Sequence, residues 1–173
     1  MYGLTQCGHL PNYASREFDM SMELYVLSNE RLGSMEQWQR AIDTEGFPLR
    51  LPVKELIDQL HGFLPVASDR TKTGFECDHW DPRDLKTIAA NINFTNWRYA
   101  LAFRWGADFN AGAAAYMAAT AYARATSGVV FDCEEGAILT PDRTAEIVRE
   151  LKQAKPLIEE AVRRVKERFK PRP

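Results

Sequence analysis

Cysteine is scarce in this chain, with three in 173 residues. An odd and small number builds no disulfide framework, so the thiols are expected to be reduced, as in a cytoplasmic protein. Histidine is equally sparse at three, and neither residue type recurs at the spacing of a structural zinc site. No apolar run reaches the length of a membrane span. The stretch 111–125 is rich in alanine, but Tyr116, Thr120, Tyr122 and Arg124 interrupt it. The first residues lack the basic region and apolar core of a secretory signal, which again points to the cytoplasm. There is no glycine-rich phosphate loop, since Gly106-Ala107-Asp108 lacks the repeated glycines and the lysine of one, and no Gly-x-Ser-x-Gly nucleophile motif. No cofactor and no metal are expected.

Neither sign of charge dominates the total, which is −2, but the distribution is uneven. From Lys152 to Pro173 eight basic side chains face three acidic ones, a local +5 that leaves −7 on residues 1–151. An acidic body does not suit a nucleic-acid binder, which must neutralise phosphates. It suits a basic protein partner. The cluster of cations at the end of the last helical segment is accounted for by the helix dipole.

What is present reads as one α+β domain: a mixed, mainly antiparallel sheet, helices mostly on one face, and a long or kinked C-terminal helix. Residues 1–20 show no period and read as a poorly ordered or surface-lying extension, with the domain over 21–173. Glu23–Ser28 is a first strand. Ser34 and Gln37 form a capping box that opens a helix with Met35, Trp38 and Ile42 inward and Gly46 at its end. Pro48–Pro52 is at most an edge strand. Val53, Leu56, Ile57 and Leu60 mark a second helix ended by Gly62. Phe63–Ser68 and Gly74–His79 pair around a polar turn, and Asp81-Pro82 starts a third helix with Leu85, Ile88, Ala89 and Ile92 inward.

Trp97 to Trp105 alternates with period two, placing Trp97, Tyr99, Leu101, Phe103 and Trp105 on one side and Arg98, Ala100, Ala102 and Arg104 on the other. The small Ala100/Ala102 side is expected to receive the alanine-rich helix that follows, with Gly128 at its C′ position. Val129–Asp132 and Ala137–Leu139 read as a hairpin. Helical spacing then runs from Thr140-Pro141 to Phe169 through Pro156, which predicts a kink or a restart.

Two clusters could carry chemistry. On one strand Phe75, Cys77 and His79 share a face and Glu76 and Asp78 the other, so a thiol and an imidazole lie close together, as in a small hydrolase or phosphoryl-processing enzyme. They lack a third, orienting group, and a core thiol beside a solvated acidic face is the favoured reading. Cys7-Gly8-His9 could pair with these residues around zinc only with unusual spacing. Asp132, Glu134 and Glu135 gather at a strand end, where carboxylates hold magnesium or simply confer solubility, the latter being favoured. The aromatic side of Trp97–Trp105 reads as sheet core rather than as a stacking platform.

The run Tyr99–Gly106, the alanine-rich helix, and Ser127-Gly128-Val129-Val130-Phe131-Asp132 followed by Gly136 and Thr140-Pro141 resembles small bacterial immunity proteins of contact-dependent and polymorphic toxin systems. That resemblance implies a cytosolic α/β protein with no catalysis and no cofactor, which neutralises a toxin by binding it. The expected function is therefore blockade of a basic toxin or other protein partner by exposed acids, namely Glu76, Asp78, Asp132, Glu134 and Glu135. No nucleic-acid or membrane partner is expected, and no catalytic residue is assigned. The alternatives are the small enzyme built on Cys77 and His79, or an oligomeric subunit that uses the C-terminal helix.

Overall fold

The computed structural model describes residues 21–169. The expected extension over residues 1–20, with its Cys7-Gly8-His9 segment, lies outside them. Seven strands form one sheet: β1 (Met22–Ser28), β2 (Leu49–Arg50), β3 (Phe63–Ser68), β4 (Thr71–Trp80), β5 (Tyr99–Trp105), β6 (Val129–Asp132) and β7 (Ala137–Leu139). Their order is β2-β3-β4-β5-β1-β6-β7 and every pairing is antiparallel. Three helices complete the fold: α1 (Met35–Thr44), α2 (Phe109–Ala125) and α3 (Pro141–Arg168).

The Asp69-Arg70 turn of the β3–β4 hairpin has positive φ at both residues, +48° and +66°, the two-residue geometry that matches strand twist. Ser34 caps α1 by accepting from the Gln37 amide, while the Gln37 side chain reaches back to the Gly33 amide at 2.6 Å. Gly46, at φ +70°, follows the helix end. β2 is the short edge strand expected between Pro48 and Pro52.

The alanine-rich α2 does not lie on the alanine side of β5, contrary to the expectation from size. It covers the aromatic side, where Leu101, Phe103 and Trp105 join the larger core with Met35, Trp38, Ile42 and the alanines of α2. Large strand residues need a smooth helix, and Gly112 shows how close the approach is. A Cβ there would fall 2.7 Å from the Trp105 indole nitrogen. Trp38 locks α1 to α2 by donating its indole N–H to the Ala118 carbonyl at 3.0 Å.

The Ala100/Ala102 side instead receives the segment from Asp81 to Trp97. It is wound into two short 3₁₀ turns, Pro82–Thr87 and Phe94–Asn96, not the expected third α-helix. Asp81 caps the first turn as expected, but Leu85 is the residue driven inward and Ile88 is exposed. Leu85 and Phe94 build a second core with Tyr25, Leu27, Ala100, Ala102 and Phe131. The helix expected at Val53–Leu60 is likewise a single 3₁₀ turn, Ile57–Gln59. Ile57 and Leu60 are buried while Val53 and Leu56 face solvent, and an i, i+3 pair is satisfied by one tight turn.

At the end of α2 the left-handed residue is Ser127 at φ +50°, not Gly128. Gly128 is needed for space, because a Cβ there would meet the Leu27 carbonyl oxygen at 2.5 Å. α3 runs unbroken through Pro156. Thr144 bonds Thr120 at 2.8 Å and Arg124 bonds Asp142 at 2.9 Å, so α3 descends antiparallel to α2. Beyond Lys155 it outruns α2, and residues 161–169 are all exposed. The carbonyl that Pro156 deprives of an N–H partner is that of Lys152, itself an exposed residue.

Candidate functional site: an acidic row on the open half of the sheet

The face of the sheet opposite the helices is built in three rows by strand register. Trp80, Ala100, Leu27 and Val129 form the first, and Asp78, Ala102, Tyr25 and Phe131 the second. The Asp81–Trp97 segment covers the apolar parts of both. The third row, Glu76, Arg104 and Glu23, continues to Cys133, whose amide donates to the Glu23 carbonyl at 3.2 Å. It lies past the end of that cover. Three strand spacings make it about 14 Å wide, and it ends at the Glu134-Glu135 turn.

Arg104 is its centre. Its Nη2 donates to Asp78 Oδ2 at 2.6 Å, whereas Nε has Glu76 and Glu23 carboxylate oxygens at 3.5 and 3.6 Å, beyond good hydrogen-bond length. Asp78 lies underneath. Its Oδ1 accepts from the Gly62 amide at 2.9 Å and has His61 Nδ1 at 2.6 Å. Burial works to raise the Asp78 carboxyl, but the Gly62 amide and the Arg104 guanidinium outweigh it and hold the group below the usual carboxylate range. Tyr25 is fully buried between Trp80 and Phe131, with ring centroids at 5.7 and 6.3 Å. Burial first, and the neighbouring Glu23 carboxylate second, push its phenol well up. Its hydroxyl nevertheless makes no hydrogen bond of acceptable geometry. Among the described residues, the buried side-chain polar atoms without a partner are that hydroxyl and Arg104 Nε, and both belong to this cluster.

No family model, curated protein or solved structure matches this chain. The reading of the site therefore rests on its own geometry.

Of the five acids expected to be exposed, Glu76, Glu134 and Glu135 are. Asp78 and Asp132 are not, at 5% and 2% exposure. Asp78 is turned inward by Arg104 and Gly62. Asp132 points to the opposite, helix-covered face. There it accepts from the Tyr116 hydroxyl and, in an Asx turn, from the amides of Glu134 at 2.9 Å and Glu135 at 3.2 Å. Its role is to shape the turn that presents those two glutamates. Two members of the row were not foreseen, Glu23 and Arg104, nor was Tyr25 in the row beside it. Period-two spacing places Glu23 with Tyr25, and Arg104 with Ala102, on one face each, but the insertion of β5 between β4 and β1 has no local signature.

The thiol and the imidazole are each engaged by the fold. Cys77 is fully buried among core residues, and burial pushes its thiol far up. His79 commits Nε2 to the Ile57 carbonyl at 2.7 Å. Cys133, next to the row, is pushed up to about 12, by burial first and by Glu23 second. Among the described residues no group of three His, Cys, Asp or Glu is arranged to hold a metal ion, and no helix is long and apolar enough to cross a membrane. Two shallow depressions lie elsewhere. One, of about 500 Å³, lies between Gly33–Ser34 and Val53–Gln59, and the other, of about 440 Å³, lies around Arg83, Trp97 and Arg98.

Proposed function

We propose that the protein is a binding module that captures a basic protein partner on the acidic end of its sheet, blocking that partner as a cytosolic immunity protein blocks a toxin. One observation carries the reading. Glu23 and Glu76 are brought by register to either side of Arg104, whose guanidinium is already taken by Asp78, and the exposed Glu134 and Glu135 follow Cys133 at the end of the same row, which the described residues leave without a cover. Such a surface has excess negative charge on a rigid strand platform. It steers cations toward itself and sets the register of a complementary surface. The sealed Cys77 and the occupied His79 offer no nucleophile to a substrate, which favours binding over the hydrolase alternative.

The test is association kinetics with basic nuclease toxin domains, using the native chain and a Glu76→Lys/Glu134→Lys/Glu135→Lys variant at low and high salt. All three side chains are exposed, so stability should change by no more than about 1 kcal/mol. The expected outcome is slower association and a flattened salt dependence in the variant. Equal rates at both salt concentrations for the two proteins would refute the proposal.

A further inference from the structure

Resting on that binding reading, we infer that the Arg104 cluster is the seat for a single basic side chain of the partner, an ammonium or a guanidinium, clamped between Glu23 and Glu76. The geometry has three parts. First, the two carboxylates converge on one nitrogen, Arg104 Nε, from opposite strands at 3.5 and 3.6 Å. Their oxygens are thus within about 7 Å of each other, and neither is consumed by a hydrogen bond to Arg104. Second, Asp78 anchors Arg104 from below, through Nη2 at 2.6 Å, so the arginine stays in place when its flanking acids turn to a new cation. Third, the Tyr25 hydroxyl, fully buried and without a hydrogen bond of good geometry among the described residues, lies beside the Glu23 carboxylate. A buried donor whose acceptor is poorly placed is a standing cost. A bound cation that draws Glu23 into a fixed position gives that hydroxyl its acceptor, so Tyr25 becomes a positioning residue for Glu23. Three carboxylates against one guanidinium leave the seat short of positive charge, and an incoming cation supplies it.

The probes are n-butylammonium chloride and ethylguanidinium chloride, which stand for the two basic side chains, with sodium chloride at equal ionic strength as the reference. Each is titrated into the full chain while the Arg104 Nε–H resonance is followed by NMR. A saturable shift in the millimolar range, absent with sodium, is expected, and the stronger of the two organic cations names the preferred head group. Glu23→Gln and Glu76→Gln should each weaken the midpoint about fivefold, and Glu150→Gln, at an exposed position of α3, should leave it unchanged. Tyr25→Phe should weaken it while leaving the melting temperature unchanged or raised, since the hydroxyl makes no hydrogen bond of good geometry among the described residues of the free protein. A purely structural tyrosine would instead lower the melting temperature and spare the midpoint. A response no different from sodium, or midpoints indifferent to Glu23→Gln and Glu76→Gln, would overturn the seat. If toxin-domain association still depended on Glu134 and Glu135 in that case, the seat alone would fall and the binding reading would stand.

Discussion

Replacing Asp78 by Asn removes the charge beneath Arg104 while nearly preserving side-chain volume. In the native protein this carboxylate accepts from Arg104 and the Gly62 amide at 2.6 and 2.9 Å and has His61 Nδ1 at 2.6 Å. An Asn carbonyl can keep one or two of these contacts, without the charge. Hydrogen bonds to charged groups are worth about 1.5–3 kcal/mol against about 1 kcal/mol for neutral ones. The full loss of about 3–5 kcal/mol seen when a buried pair is broken is not reached. Arg104 keeps Glu23 and Glu76 nearby, and 21% of its side chain is exposed. The expected destabilisation is about 2 kcal/mol, or about 4–8 °C in melting temperature for a chain of this size. The pH dependence has a definite sign. A carboxyl held below its unfolded value stabilises fully above that value, about 3.9 for Asp, and loses the contribution as pH falls through the lower folded value. The gap between native chain and variant should stay constant from neutrality down to about pH 4 and close below it. Urea unfolding across that range measures it. A variant within about 0.5 kcal/mol of the native chain at neutral pH, or a gap that closes on the alkaline side, would refute the assigned role of Asp78.

Gly128→Ala should destabilise by about 1–3 kcal/mol, measured by thermal unfolding, because the new methyl meets the backbone of the interior strand β1 and not a flexible side chain. The conservative Gly46→Ala, where nothing lies within 4 Å but φ is +70°, separates backbone strain from crowding. Ending the chain after Lys155 should change the melting temperature little, since the residues of α3 buried in the fold are Thr144, Ala145 and Val148. A large loss would show that the exposed half of the helix is packed in solution. Cys77 should resist alkylation by iodoacetamide in the native state and react only on unfolding.

The strands and the two outer helices were legible in the sequence because their signals are local: the Ser34/Gln37 cap, the period of Tyr99–Trp105, the Thr140-Pro141 start. What failed was arbitration between local and distant forces. Val53, Leu56, Ile57 and Leu60 have helical spacing, yet only two of the four found a core to enter, and a single 3₁₀ turn suffices for two. The alanine side of β5 looked like the seat of the alanine-rich helix by matching size to size. The fold instead sets large against small, Phe103 and Trp105 against α2, and gives Ala100 and Ala102 to Phe94 and Leu85. The acids at 76, 134 and 135 were recognisable one by one from turn position and strand parity. Bringing Glu76 and Glu23 to either side of Arg104 depends on strand order, and that order is a property of the whole sheet.

Binding at the acidic end is tested most directly by the footprint of a basic toxin domain in complex with the full chain, read by backbone amide shifts and hydrogen exchange. The account predicts changes at Glu23, Glu76, Arg104 and the Glu134–Gly136 turn, fading across the Asp81–Trp97 cover. Changes confined to the exposed half of α3 or to the β2–β3 edge, with the Arg104 row silent, would contradict it.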